Sequence, residues 1–293
     1  MSQSNNKKTL YFLRGLLLLW LGGSAPAHAA TQQDIQQLSS LSYSVLENVL
    51  VYHNPLGVPF DTGNADAYRR DLQQLRQQSA LLGLPDIGAQ AERLDNAIAD
   101  LHHLPQTFSD LRKSIPPYSL WLPQVIEQQE QLATTLADLY ARQTDASPAQ
   151  QALHGLGHDI SRLSLSYQIS AFPHLVAQAW ILDDQAVMTL DTSIRQRFET
   201  LPQQYPEMAA LLNKLRGRYN FVRGYLVTPG QAWAPNAVGR YLMGTVRDLD
   251  KAAAALAPNP VNSSEATKGE TLPRPTMSAM PSKPSLGNAL EGA

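Results

Sequence analysis

Apolar residues recur every three or four positions over most of this chain. Ile87, Ala91, Leu94, Ile98 and Leu101 form one series, Leu132, Leu136 and Leu139 a second, and Leu211, Leu215, Tyr219, Val222 and Leu226 a third. Such spacing lays a single apolar stripe along a helix, and the stripe must be buried against another helix or a sheet. No stretch sustains the alternate-residue pattern of a half-buried strand. The stripes therefore predict an all-α fold in which helices cover one another.

Capping residues and breakers divide the stripes into elements. Thr31 with Asp34, Asn64 ahead of Ala65, and Ser147-Pro148 with Gln150 place side-chain oxygens where the free amides of a first helical turn need acceptors. Breaks are expected at Pro55 to Pro59, Gly83-Leu84-Pro85, Ser114 to Pro123, Thr144 to Pro148, Leu201 to Pro206 and Thr228 to Pro235. The predicted helices are 32–53, 64–82, 86–113 (kinked or split at Pro105) and 124–143, then 148–171, 184–200, 206–226 and 236–256.

The two groups of four share sequence. Asp34-Ile35, Leu38-Ser39 and Leu41-Ser42-Tyr43 recur as Asp159-Ile160, Leu163-Ser164 and Leu165-Ser166-Tyr167. Leu75-Arg76-Gln77 returns as Ile194-Arg195-Gln196, and Leu84-Pro85 as Leu201-Pro202. Pro117-x-x-x-Trp121-x-Pro123 matches Pro229-x-x-x-Trp233-x-Pro235, and Thr135 to Leu139 matches Thr245 to Leu249. The order is preserved throughout, which predicts a duplication with copies at 31–143 and 147–257. Short connections then imply two tandem antiparallel (up-and-down) four-helix bundles. Residues 258–293 turn to Pro, Ser, Thr, Asn and Gly without apolar periodicity, and are expected to form a disordered tail that acts as a spacer or a short partner-binding segment.

The first 29 residues carry Lys7, Lys8 and Arg14, then the apolar run Gly15 to Gly22, then Ala27-His28-Ala29. That order is expected of a secretory signal peptide (residues 1–29) cleaved after Ala29. The run is shorter than the ~20 residues needed to cross a bilayer, and no later stretch reaches that length, so no membrane span is expected after cleavage. The compartment expected is a bacterial periplasm, with release to the medium as the alternative. The chain contains no cysteine, which excludes disulfides, thiol nucleophiles and a cysteine-linked lipid anchor. Loss of the leader's three basic groups leaves 20 Lys and Arg against 25 Asp and Glu, a net charge of −5 that disfavours nucleic acid as a partner.

Several groups invite a chemical reading. Trp121 and Trp233 each stand between two prolines ahead of an expected helix, in segments that also hold Pro117, Tyr118, Pro123, Pro229 and Pro235. Proline restricts the backbone on both sides, so each indole is either a preset contact for a partner or ligand, or a plug that closes a bundle end. His154 and His158 lie four apart beside Asp159, a spacing that can share a metal, although Gly155 and Gly157 between them loosen the helix. His102 and His103 are adjacent and point in different directions on a helix. Lys214, Arg216, Arg218 and Arg223 make a basic patch that reads as an anion-facing surface or as the flanks of a buried stripe. Asp183, Asp184 and Asp191 have no fixed separation that would make them an acid–base pair. No nucleophile elbow, His-Glu-x-x-His or phosphate-cradling glycine loop occurs.

No catalytic residue, metal site or cofactor is therefore assigned. The expected function is a non-catalytic interaction or scaffold module of a cell-envelope assembly, with an envelope protein as partner. The alternative is a soluble periplasmic small-molecule-binding protein with a pocket inside a bundle or between the copies. A metal-dependent hydrolase using His154, His158 and Asp159 ranks last. The sequence leaves the oligomeric state open.

Overall fold

A computed structural model describes residues 29–53, 62–100, 111–172, 182–228 and 233–256, with backbone alone for 111–120. Nearly all of the leader, the Pro55 to Pro59 break, the His102-His103 pair, Pro105, Pro229 and the expected tail 258–293 lie outside the described residues. Among those described there is no strand, and the fold is all-α. Its helices are α1 (Gln32–Tyr52), α2 (Thr62–Leu81), α3 (Pro85–Ala99), α4 (Leu111–Arg142), α5 (Pro148–Ser170), α6 (Asp184–Gln204), α7 (Ala209–Val227) and α8 (Pro235–Ala255), with a 3-10 turn at Pro206–Met208. No helix among the described residues is long and apolar enough to cross a membrane.

Local chemistry accounts for most of the boundaries. Thr31 and Asp34 form a complete capping box, with Asp34 N–H on the Thr31 hydroxyl oxygen at 3.1 Å and Thr31 N–H on the Asp34 carboxylate at 2.9 Å. Ser147 and Gln150 do the same for α5, where Pro148 fills a first-turn position that needs no amide donor. Between α2 and α3 the chain reverses at Gly83, whose φ is +66°. Leu84 N–H reaches Ser79 O at 2.8 Å and Gly83 N–H reaches Ala80 O at 3.2 Å, a Schellman end that requires a residue free to adopt positive φ.

Two proline-based expectations are corrected. The segment Ser114 to Pro123 is not a break: α4 already starts at Leu111 and runs through Pro116, Pro117 and Pro123. An interior proline costs about 3 kcal/mol. Against that, Trp121, Leu122, Val125 and Ile126 are all buried, and each such side chain contributes about 1.5–3 kcal/mol. Burial wins. Likewise Pro202 lies inside α6, which keeps Leu201 in the core and ends soon after, at Gln204.

Each group of four helices closes a ring of contacts in chain order. α1 meets α2, α2 meets α3, α3 meets α4 and α4 returns to α1; α5 through α8 repeat that order. α1 also packs on α5 and α8 and so joins the two rings. There are two apolar cores, one around Leu38, Leu46, Leu75, Leu94 and Leu136 and one around Leu156, Phe198, Leu215, Tyr219 and Leu242. The first is not confined to its own helices, because Leu165, Ile169, Ala171 and Phe172, at the end of α5 and just beyond, belong to it.

Candidate functional site: a charged cleft where the two rings meet

The line along which α1 meets α5 and α8 carries buried polar side chains beside apolar ones. Ser161 and Ser164 of α5 are buried there, Ser161 in the lining of a cleft and Ser164 against Glu47 of α1. A buried hydroxyl needs a partner. Ser42 donates to Ser39 O at 2.8 Å, but Ser164 donates to the Glu47 carboxylate at 2.8 Å and Ser44 donates to Asp71. The serines thus position carboxyl groups.

Those carboxyls face a cleft of about 360 Å³ bordered by α1, α2, α5 and α8, at the small end of the size range for ligand sites. Its lining runs from Gln37 to Glu47 on α1, about 15 Å of helix. Asn48 meets Met243 beyond one end of this stretch, and Gln36 meets Asp250 beyond the other. Glu47, Tyr43 and Asp250 form the buried floor, Asp71 is half-buried, and Arg247 and Lys251 stand exposed at the rim.

The electrostatics of the floor are set by burial. Glu47 is 1% exposed, and burial pushes its carboxyl up to about 8, with the Ser164 hydrogen bond opposing the shift. Burial also raises Asp250 to about 6, against hydrogen bonds from Ser40 and Gln36. Asp71 is raised by burial, partly offset by Ser44 and by the nearby Arg247 charge. The Tyr43 hydroxyl is pushed up by burial and stays protonated. Among the described residues, no ion pair joins any of these carboxyls to Arg247 or Lys251. Among the described residues each of these acids is held by a neutral donor, Glu47 by Ser164 alone.

His154 and His158 lie on the other side of α1, in a second hollow of about 600 Å³. His154 is buried between the Tyr140 hydroxyl and the Gln33 side-chain oxygen, both at 2.9 Å, and burial lowers it to about 4. His158 packs edge-on against Tyr43, with centroids 5.8 Å apart, and is also lowered by burial. Asp159 pairs with Arg197 at 3.3 Å. A Cβ on Gly155 would lie 2.8 Å from the Arg197 guanidinium, so this glycine serves the ion pair. No group of three potential metal ligands occurs among the described residues.

The two tryptophans do not share a setting. Trp121 lies within α4, buried in the first core, and its indole N–H donates to Ala97 O at 2.7 Å. Pro123 is half-buried beside it; Pro117 and Tyr118 are on the same helix, their side chains outside the described residues. Trp233 is half-buried ahead of α8 and faces Tyr167 at 6.2 Å between centroids, and the Tyr167 hydroxyl accepts from Ala234 N–H at 2.8 Å. Its buried indole N–H has no partner among the described residues. Pro235 occupies the first turn of α8, and its carbonyl accepts from Gln168 at 3.1 Å. The paired-loop reading therefore fails for Trp121, because its segment is helical.

Half of the basic patch is spent within the fold. Arg223 grips Asp191 with two bonds of 2.7 and 2.8 Å, and Arg218 pairs with Asp248 at 2.6 Å. Lys214 and Arg216 make no ion pair among the described residues. Asp183 caps α6 through Ala186 N–H at 2.7 Å, so the Asp183, Asp184 and Asp191 set is structural in two of its members.

Sequence reasoning missed Glu47, Asp71, Asp250, Arg247 and Lys251. A signal for two of them existed: Glu47 interrupts the apolar run Val45-Leu46-x-x-Val49, and Asp250 stands four residues after Val246, where the stripe of α8 calls for an apolar side chain. The fold and site together define an all-helical protein with a polar, charge-lined cleft between two rings of helices. Comparison with known proteins gave no match to any family model, curated protein or solved structure.

Proposed function

We propose that this chain is a non-catalytic binding protein for a small polar molecule, and that its site is the cleft bordered by α1, α2, α5 and α8. The observation that carries this reading is the arrangement of ionisable groups: buried carboxyls and rim cations face one cavity, and among the described residues no ion pair joins them. Leaving a carboxyl such as Glu47 buried without a cation costs stability, and such costs persist where a site has work to do. A bound ligand stabilises the folded state by mass action, so a thermal-shift screen of polar metabolites tests the reading. At least one compound should raise the melting temperature, and an Asp71→Asn or Arg247→Ala change should reduce that shift. A flat response across the panel would overturn the proposal.

The same proposal takes the eight helices as two tandem antiparallel bundles derived by duplication and exported to the periplasm after cleavage at Ala29. The identical order of contacts in the two rings supports duplication, as do the matched sequence segments. The basic, apolar and small-residue order of the leader supports export. Amino-terminal sequencing of protein recovered from the envelope should begin at Ala30.

The interaction-module reading keeps one specific observation in its favour. Phe221 on α7 is 63% exposed and stacks on Tyr241 of α8 at 4.7 Å between centroids, an aromatic pair open to a partner. A Phe221→Ser variant that recovers the same envelope proteins as the parent would remove it.

A further inference from the structure

The cleft is polarised, with its acids inside and its bases at the rim, and that asymmetry bears on what enters it. Asp250 already receives Gln36 and Ser40, and Asp71 already receives Ser44. Among the described residues Glu47 receives only Ser164, so its second oxygen, on a side chain 1% exposed, is left to the cleft. Ionising a carboxyl held away from water without a cation is costly, and the group that relieves the cost best is a cation that can also donate hydrogen bonds. An ammonium does both. Arg247 and Lys251 are exposed cations at the mouth with no ion pair among the described residues, and they would repel a simple polyamine and attract an anionic group.

We infer, building on the reading of this cleft as a binding site, that its ligand is a zwitterion of amino-acid or short-peptide character, with the ammonium on Glu47 beside Asp71 and the carboxylate at the rim against Arg247 and Lys251. An anionic ligand alone would leave Glu47 unsatisfied and meet the carboxyls of the floor. A diamine would satisfy the floor and be opposed at the rim. A zwitterion is the one charge pattern that complements both, and the roughly 15 Å groove admits an extended one.

The seat on Glu47 has a chemical signature. Burial holds its carboxyl protonated near neutral pH in the empty cleft. An ammonium bound there favours the ionised carboxylate, so binding releases the proton to solvent. Tyr43 on α1, Asp71 on α2, and Asp250, Arg247 and Lys251 on α8 face the same space, while α5 lines it with the neutral Ser161 and holds Glu47 through Ser164.

The test is titration calorimetry of the full chain in two buffers of different ionisation enthalpy. Three probe sets are used: the common amino acids with a panel of dipeptides, the corresponding amines without the carboxylate, and the corresponding acids without the amine. At least one zwitterion should bind with proton release, and both single-charge analogues should bind about tenfold or more weakly. Glu47→Gln should abolish the proton release and weaken zwitterion and amine alike, whereas Arg247→Ala and Lys251→Ala should weaken the zwitterion and tighten binding of the amine, which the rim charges no longer repel. Analogues that bind as well as the zwitterion, or Glu47→Gln with unchanged affinity, would overturn the assignment of ligand class while leaving a binding cleft in place. Absence of binding by all three sets, with other polar metabolites still shifting the melting temperature, would do the same; no shift from any compound would overturn the binding reading itself.

Discussion

Glu47 sits comfortably in this fold only when neutral. The unfolded chain releases its proton near 4.5, the folded chain near 8, so between those values the unfolded state ionises while the folded state cannot. Folding stability attributable to Glu47 is therefore present at low pH and falls as pH rises from about 4.5 to about 8. Glu47→Gln keeps the Ser164 bond and removes the ionisation. It should melt several degrees above the parent at about pH 8, at roughly 2–4 °C per kcal/mol for a chain of this size, with the gap closing toward about pH 4. A constant gap across that range would contradict burial as the cause. Asp191 behaves in the opposite sense. Burial alone would raise it, but the bonds from Arg223 and Tyr219 outweigh burial and hold it below the usual carboxylate range. Its contribution is present above that range and is lost as pH falls through the lower folded value. Asp191→Ala strands a third-exposed Arg223 and a buried tyrosine hydroxyl, and should cost about 3 kcal/mol in urea unfolding at neutral pH, the low end for a broken buried pair because Arg223 is partly solvated.

Helix α4 illustrates where sequence reasoning holds and where it stops. The apolar stripes, the Thr31 and Ser147 caps and the Gly83 reversal are local, and each was legible because its cause lies within a few residues. The fate of Pro123 was not, since the proline penalty is local while the burial of Trp121, Leu122, Val125 and Ile126 that overrides it depends on α1 and α3. The cleft escaped for a related reason. A lone carboxyl in an apolar stripe reads as a lapse in the pattern until α8 is known to lie on α1. His154, by contrast, stood out in the sequence, yet the structure gives it two neutral partners and no metal-binding company among the described residues. If burial rather than propensity sustains the start of α4, Pro123→Ala should return an amide donor to the helix interior without disturbing the core. The expected gain is about 1 kcal/mol, since the restored bond is set against extra freedom in the unfolded chain. Destabilisation on denaturant titration would show that the proline shapes a bend on which the Trp121 to Ala97 bond depends.

At the scale of the whole molecule, the two rings are coupled through α1 and α5. Leu165, Ile169, Ala171 and Phe172 belong to the first core although they follow the second ring's opening turns, and Ser164 of α5 holds Glu47 of α1. Unfolding the second ring would pull four apolar side chains out of the first core and take the Ser164 donor away from Glu47. At about 1.5–3 kcal/mol for each large apolar side chain exposed, that loss is comparable to the whole stability of an ordinary domain. The rings should therefore not melt independently. Scanning calorimetry of the intact protein should give one transition whose calorimetric and van't Hoff enthalpies agree. Phe172→Ala, placed at the seam, should shift that single transition downward without splitting it. Two resolved transitions in the parent would mean that the shared residues contribute little, and would weaken the case for a cleft whose walls come from both rings, because a ligand held between independently mobile halves would first have to order them.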